Sequence, residues 1–205
     1  MRKKEFLNSV YVSRTPLETK SLYDEWSTTY EETVNGHGYA TPERCAVALS
    51  DFVEDKAVPI LDFGCGTGIS GMALTEYGFS TIDGCDISKE MLDLADEKQI
   101  YRKLWQIDPG SEINLPTGRY AHIAAIGVIG IGAAPIDVFD GLFGALPNGG
   151  SLTFSLNDHT LSDPEYEARV SEYTDTGAAT VEFKEYGEHL PGLDMKSVVY
   201  ILVKN

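Results

Sequence analysis

The sequence predicts an α/β fold: a doubly wound, seven-stranded sheet, mostly parallel, ending in an antiparallel C-terminal hairpin, with helices on both faces and a helical lid at the N-terminus. Three observations predict it. First, an apolar run, Val58-Pro59-Ile60-Leu61, leads through Asp62 to glycines at alternate positions, Gly64, Gly66 and Gly68, and then to a helical stretch. A short uninterrupted apolar run suits a strand buried on both faces, as a parallel sheet requires. Second, such runs alternate with helical patterns along the chain, which is the mark of βαβ units. Third, residues 180–186 alternate in period two and 197–203 are apolar, with too short a connection between them for a helical crossover, so they pair antiparallel.

The elements follow in order. Residues 19–50 form a helical preface in which Tyr23, Trp26 and Tyr30 share one helix face. That stripe either packs on the core or lids a ligand pocket. After the first strand, the helix at 69–77 points its free N–H groups at whatever sits over the glycine turn. A second strand within 79–88 ends in Asp86, and Ser88 caps a helix with an apolar face of Met91, Leu92, Leu94 and Ala95. Residues 100–108 give a short helical turn and a brief third strand delivering Asp108, and Pro109-Gly110 turns the chain away. The apolar run at 120–131 is a buried fourth strand whose end, at Gly127, passes close to a ligand. A helix at 135–146 stops at Pro147-Asn148-Gly149-Gly150, the fifth strand occupies 151–156, and a helix at 164–173 precedes the hairpin.

Alternate glycines let a backbone turn tightly and approach a nucleotide-like ligand. Two ligand classes compete for the turn. Gly66-Thr67-Gly68-Ile69-Ser70-Gly71 fits the dinucleotide pattern G-x-G-x-x-G. Asp62, at the end of the strand, would repel a pyrophosphate but attract an ammonium or sulfonium group. That favours S-adenosylmethionine (SAM), which has no phosphate. Asp86 stands at the distance downstream where a carboxylate accepts from ribose hydroxyls.

Leu61-Asp62-Phe63-Gly64-Cys65-Gly66-Thr67-Gly68 resembles the first motif of class I SAM-dependent methyltransferases, and Asp86-Ile87-Ser88-Lys89-Glu90-Met91-Leu92 resembles the second. The Y-D-x-W-x-x-x-Y pattern from Tyr23 to Tyr30, with Tyr39 and Pro42, is similar to the group named for the methyltransferase-like protein of the Williams–Beuren region and to related bacterial small-molecule methyltransferases. The resemblance spans 23–156 and implies a Rossmann-like core that binds SAM and releases S-adenosylhomocysteine (SAH). It says almost nothing of the acceptor. The residues expected around the cofactor are Asp62, Gly64, Cys65, Gly66 and Gly68 at the first turn. Asp86, Ile87, Met91 and Asp108 follow, then Gly127, with Tyr23, Trp26 and Tyr30 from the lid. His122 stands where the family often has an acid opening the fourth strand, at the end remote from the site.

A length of 205 residues suits a single domain, 1–205, with a helical lid region at 1–57 and the core at 58–205. The net charge of −16 and the scarcity of basic runs, only Arg2-Lys3-Lys4 and Arg102-Lys103, argue against nucleic acid and anionic membranes. The expected partner is a small-molecule substrate, and the expected state a monomer or homodimer. No apolar run is long enough to span a membrane, and the N-terminus lacks the apolar region of a signal peptide. Cys45, Cys65 and Cys85 have no metal-type spacing and suggest buried thiols in a reducing cytoplasm; no metal is expected.

With SAM as donor, the acceptor attacks an electrophilic methyl in line, so alignment and exclusion of water are the main tasks. A general base is needed only for a protonated nucleophile. Tyr30, Tyr39, His159 and His37 are the candidates, while His189 beside the hairpin has no special claim. Gly127-Val128-Ile129-Gly130 replaces the Asn-Pro-Pro-aromatic motif, which weakens amide or nucleobase amino methylation. Two other readings stay open: a SAM- or SAH-binding protein without catalysis, and a nicotinamide-dependent reductase, against which Asp62 and the length argue.

Overall fold

Ile60, Leu61, Asp62 and Phe63 are all buried, so β1 (Ile60–Phe63) can only be a central strand. The computed structural model describes residues 10–12 and 14–205; the Arg2-Lys3-Lys4 run lies outside them. β1 pairs in parallel with β2 (Ile82–Asp86) on one side and β4 (His122–Ala125) on the other, Asp62 lying opposite Gly84 and Ala124. With β3 (Tyr101–Gln106), β5 (Ser151–Asn157), β6 (Ala179–Leu190) and β7 (Met195–Lys204), the sheet runs β3-β2-β1-β4-β5-β7-β6. Only β7 is antiparallel to its neighbours, giving the expected C-terminal hairpin. Strand order reverses between β1 and β4, and ligands of such sheets bind in the crevice beyond the carboxyl ends at that point.

Helices α1 (Pro16–Gly36) and α2 (Thr41–Phe52) precede the sheet; α3 (Ile69–Glu76), α4 (Lys89–Glu97), α5 (Asp137–Ala145), the single turn α6 (Asp158–Leu161) and α7 (Pro164–Asp175) connect its strands. One face of the sheet packs Phe63, Phe154 and Tyr200 against Phe139 and Phe143 of α5. The other packs Ile60, Ile82 and Ile201 against Leu49 of α2 and Leu74 of α3. A smaller cluster of Val10, Trp26, Val34 and Leu190 seats α1 outside these layers. Among the described residues, no helix is long and apolar enough to cross a membrane.

Several elements differ in detail from expectation. The N-terminal preface is two helices. Thr15 caps α1 through a reciprocal box with Glu18, and a turn at Gly38 (φ 75°) separates it from α2. No helical turn precedes β3: Gln99 adopts φ 54° right after α4, which reverses the chain directly into the strand. β4 is much shorter than its apolar run, because Gly127 (φ 70°) turns the backbone out of the sheet just beyond Ala125. The buried acid Asp83, inside β2, is held by Arg102 at 2.8 and 2.7 Å and by the Tyr120 hydroxyl at 2.7 Å. Burial opposes its charge, but those donors hold its carboxyl below the usual range.

Candidate functional site

Beyond the carboxyl ends of β1 and β4 lies a cavity of about 1070 Å³, at the reversal of strand order. Its floor is the glycine turn. Gly64 takes φ 70°, and a Cβ there would overlap Val128 from the turn after β4, so only glycine lets the two turns close on each other. Gly66 takes φ 53° with open space where its Cβ would stand, and it donates its N–H to Asp86 Oδ2 at 2.9 Å. The other oxygen of Asp86 accepts from the Ser88 N–H at 2.9 Å. Asp86 therefore ties the first turn to the start of α4 while lining the cavity. Burial raises its pKa, and the backbone donors work against that rise.

The cavity also brings together Cys65, Ile87, Met91, Asp108 and Gly127, with Tyr23, Tyr30 and Tyr39 closing it from the N-terminal helices. The exposed Asp108 sits in the loop just after β3. The Gly127 N–H is occupied by Ser155 Oγ at 3.0 Å, so Gly127 offers the cavity close approach rather than a donor. Burial drives the three tyrosine hydroxyls well above their ordinary pKa, which leaves them uncharged.

Three residues expected around the cofactor do not line the cavity. Trp26 turns into the small cluster with Val34 and Leu190, edge-on to Tyr30 at 4.9 Å, and so stands behind the tyrosine wall. Gly68 (φ 93°) is the N-cap of α3 and faces away, toward Lys98 and Tyr101. Asp62 is fully buried beneath the turn, where its Oδ2 accepts from Ser70 Oγ at 2.7 Å and from the Tyr101 hydroxyl at 2.8 Å. Of the base candidates, Tyr30 and Tyr39 line the cavity, but the two histidines do not. His159 is exposed on α6 and stacks on Tyr11 with ring centroids 4.1 Å apart. His37 ends α1 and packs against Gly192 in the 3-10 turn Pro191–Leu193.

Sequence reasoning missed other residues. Thr67, Ser70, Val128 and Tyr166 also line the cavity. Ser70 lay inside the G-x-G-x-x-G stretch and Val128 beside Gly127, so both were adjacent to recognised signals; nothing local marked Tyr166. His189 is buried, its Nδ1 2.8 Å from Thr41 Oγ1, in a polar knot with Ser197 and Arg44.

The site fits SAM on two counts of its own. Asp62 Oδ1 is a buried acceptor with no hydrogen-bond partner among the described residues, a negative pole beneath the turn suited to a cationic ligand. The Gly64–Val128 approach builds a cradle that a side chain would fill. Comparison with known proteins agrees. Residues 60–150 match the family model described as a methyltransferase domain. Residues 60–150 are thus similar to a class I SAM-dependent methyltransferase domain. Its cofactor is S-adenosylmethionine.

The chain is 28% identical over 131 residues to human Methyltransferase-like protein 27, covering 62% of this chain and 54% of that one, in keeping with the methyltransferase-like resemblance. It is 37% identical over 74 residues to the probable 18S rRNA (guanine-N(7))-methyltransferase of Dictyostelium discoideum, covering 36% and 25% of the two chains. The chain thus spans about half or less of the curated relatives it matches. Among solved structures, a chain of the complex between the Haloferax volcanii Trm112 methyltransferase activator and a methyltransferase superposes with a TM-score of 0.68. Identity there is 13%, over 91% of this chain and 97% of that one, a likeness of fold.

These relatives correct one expectation. The net charge argued against a nucleic-acid partner, yet matched relatives are named as rRNA methyltransferases. Net charge bounds the non-specific attraction of an isolated chain for phosphates. It does not bound what a cavity admits, nor what a second subunit contributes.

Proposed function

We propose that this domain transfers the SAM methyl group by in-line displacement to a small-molecule acceptor seated in the same cavity. The observation that carries the reading is the cavity itself. At about 1070 Å³ it stands at the upper end of the roughly 300–1,000 Å³ usual for ligand pockets, which suits a cofactor and a compact second molecule together. When bound, SAM supplies an electrophilic methyl on a positive sulfur. Asp86 and the Gly64–Gly66 turn orient the cofactor, and the wall of Tyr23, Tyr30 and Tyr39 excludes water from the reacting centre. Neutral hydroxyls on Tyr30 and Tyr39 orient the acceptor; neither is a strong base at neutral pH, so the reading favours a nucleophile that needs little deprotonation. In this reading α1 (Pro16–Gly36) is the moving part of the expected lid region, and α2 packs with the 58–205 core. The three free, buried thiols suit a reducing cytoplasm.

A second reading takes an rRNA base as acceptor, and the relatives named for that activity support it. One experiment separates the two: transfer of labelled methyl from SAM, measured in parallel against a metabolite panel and against 18S rRNA. Labelled metabolite supports the first reading. Labelled rRNA alone replaces it with the second. SAH binding without transfer to either class would indicate a cofactor-binding protein that no longer catalyses.

A further inference from the structure

The ring of Tyr101, the first residue of β3, threads beneath the glycine turn through space left by three glycines, two at the start of α3 and one in β2. A Cβ on Gly71 of α3 would overlap its hydroxyl, one on Gly84 of β2 would lie 2.9 Å from its ring, and one on Gly68 would lie 3.3 Å from it. The ring reaches through this niche to one acceptor, Asp62 Oδ2, at 2.8 Å. Ser70, which lines the cavity, donates to the same oxygen at 2.7 Å. Oδ1 of that carboxylate, fully buried, has no partner among the described residues. Both donors converge on one oxygen and leave the other uncompensated. A buried, half-satisfied carboxylate is costly until a cation comes near.

We infer that Tyr101 is a positioning residue for the cationic amino-acid end of SAM: with Ser70 it fixes Asp62 beneath the turn and keeps it ionised, so that its charge acts on the cofactor's ammonium across the turn. The inference rests on the SAM reading of the site. It gives Asp62 a role although Asp62 does not line the cavity. The groups facing Asp62 bear it out electrically. They are Ser70 and Tyr101, the thiols of Cys45, Cys65 and Cys85, the hydroxyl of Tyr39, and Asp86. Burial keeps the thiols and Tyr39 neutral, and Asp86 repels. Burial pushes the Asp62 carboxyl up to about 6, and the Ser70 and Tyr101 donors are what oppose that rise.

The test is SAH binding by calorimetry between pH 5 and pH 8 on wild type, Tyr101→Phe, Asp62→Asn and the double variant. Phe keeps the ring in its niche and removes only the donor. In wild type, affinity should fall as pH drops through about 6, when Asp62 takes up a proton. Tyr101→Phe should weaken SAH about ten- to a hundredfold at pH 7, the scale of one hydrogen bond to a charged group, and should move the pH midpoint upward. Asp62→Asn should flatten the profile, and adding Tyr101→Phe to it should change nothing further. Ser70→Ala should shift the midpoint in the same direction, which keeps the test open if Tyr101→Phe does not fold. Unchanged affinity and midpoint in Tyr101→Phe, or an equal loss when Asp62 is already Asn, would overturn the inference and leave Tyr101 a packing residue. A wild-type chain that binds no SAH would instead overturn the cofactor reading on which it rests.

Discussion

The hydroxyl of Tyr39 fills the space where a side chain on Gly127 would stand: an added Cβ would overlap the oxygen, while the ring carbon Cζ lies 3.7 Å from it. The turn between α1 and α2 thus meets the turn after β4 at the cavity wall, and the fit depends on one absent methyl group. Gly127→Ala should displace Tyr39 and also place alanine at φ 70°, a backbone conformation costing on the order of 1–3 kcal/mol. The expected outcome is a lower melting temperature and a roughly tenfold loss of SAH affinity. Tyr39→Phe in the same chain removes the clashing oxygen, so the double variant should recover affinity while the backbone strain keeps its melting temperature low. If the double variant binds no better than Gly127→Ala, Tyr39 does not seat the lid.

Asp86 joins two turns through the N–H groups of Gly66 and Ser88. Asp86→Ala strands both donors and removes the acceptor proposed for the ribose diol. Leaving such groups unpaired costs about 1–3 kcal/mol, so SAH binding should weaken by one to two orders of magnitude. Asp86→Asn retains one acceptor oxygen and should lose less. Calorimetry with circular dichroism as a check on folding measures both; equal affinity in wild type and Asp86→Ala would show that the ribose lies elsewhere.

What the sequence made legible is what local patterns control. The buried apolar run of β1, the glycine turn and the acid ending β2 are short-range signals, and they sit at the cavity as expected. Asp62, Trp26 and His159 show where such signals stop. The seat of Asp62 is set by Ser70, eight residues on, and by Tyr101, 39 residues on, and no local pattern states that the latter ring passes beneath the turn. Helical spacing put Trp26 on the same face as Tyr23 and Tyr30, but a face has two flanks, and Val34 and Leu190 draw the indole away from the cavity. His159 does follow the carboxyl end of β5. The crevice, however, lies over β1 and β4, and the α6 turn carries the imidazole outward onto Tyr11. Net charge failed as a guide to partners for a related reason, since it averages over the surface that a site does not use.

The lid proposal gains a specific link in Lys98, which donates to Glu31 of α1 at 2.6 Å and to the Thr67 carbonyl of the glycine turn at 2.7 Å. Cofactor seated on that turn should therefore steady α1. Hydrogen exchange should show residues 16–36 weakly protected without ligand and more protected with SAH. α2, whose Cys45, Ala46 and Leu49 belong to the main core, should be protected in both states. Lys98→Ala should reduce the SAH-dependent protection of α1 while leaving α2 unchanged. Equal protection of α1 with and without SAH would make it a fixed cap rather than a lid.

His189 gives the fold a pH limit that the sequence did not announce. Burial depresses its pKa to about 4, with Arg44 adding to that depression and Asp158 opposing it, and the ring stays neutral against Thr41. The unfolded chain binds that proton near pH 6.5, whereas the folded chain does not until about pH 4. Above pH 6.5 both states are neutral and His189 imposes no cost. As pH falls from 6.5 toward 4, the unfolded state binds more protons, so stability is lost at about 1.4 kcal/mol per pH unit, on the order of 3 kcal/mol across the window. His189→Asn keeps a polar group toward Thr41 but cannot titrate. Denaturant unfolding at pH 7, 6, 5 and 4.5 should show a steeper decline for wild type than for His189→Asn, the two curves converging in slope above pH 6.5. Parallel declines throughout would mean that carboxylates alone set the acid sensitivity, and that the imidazole takes up its proton without opening the knot around Thr41 and Ser197.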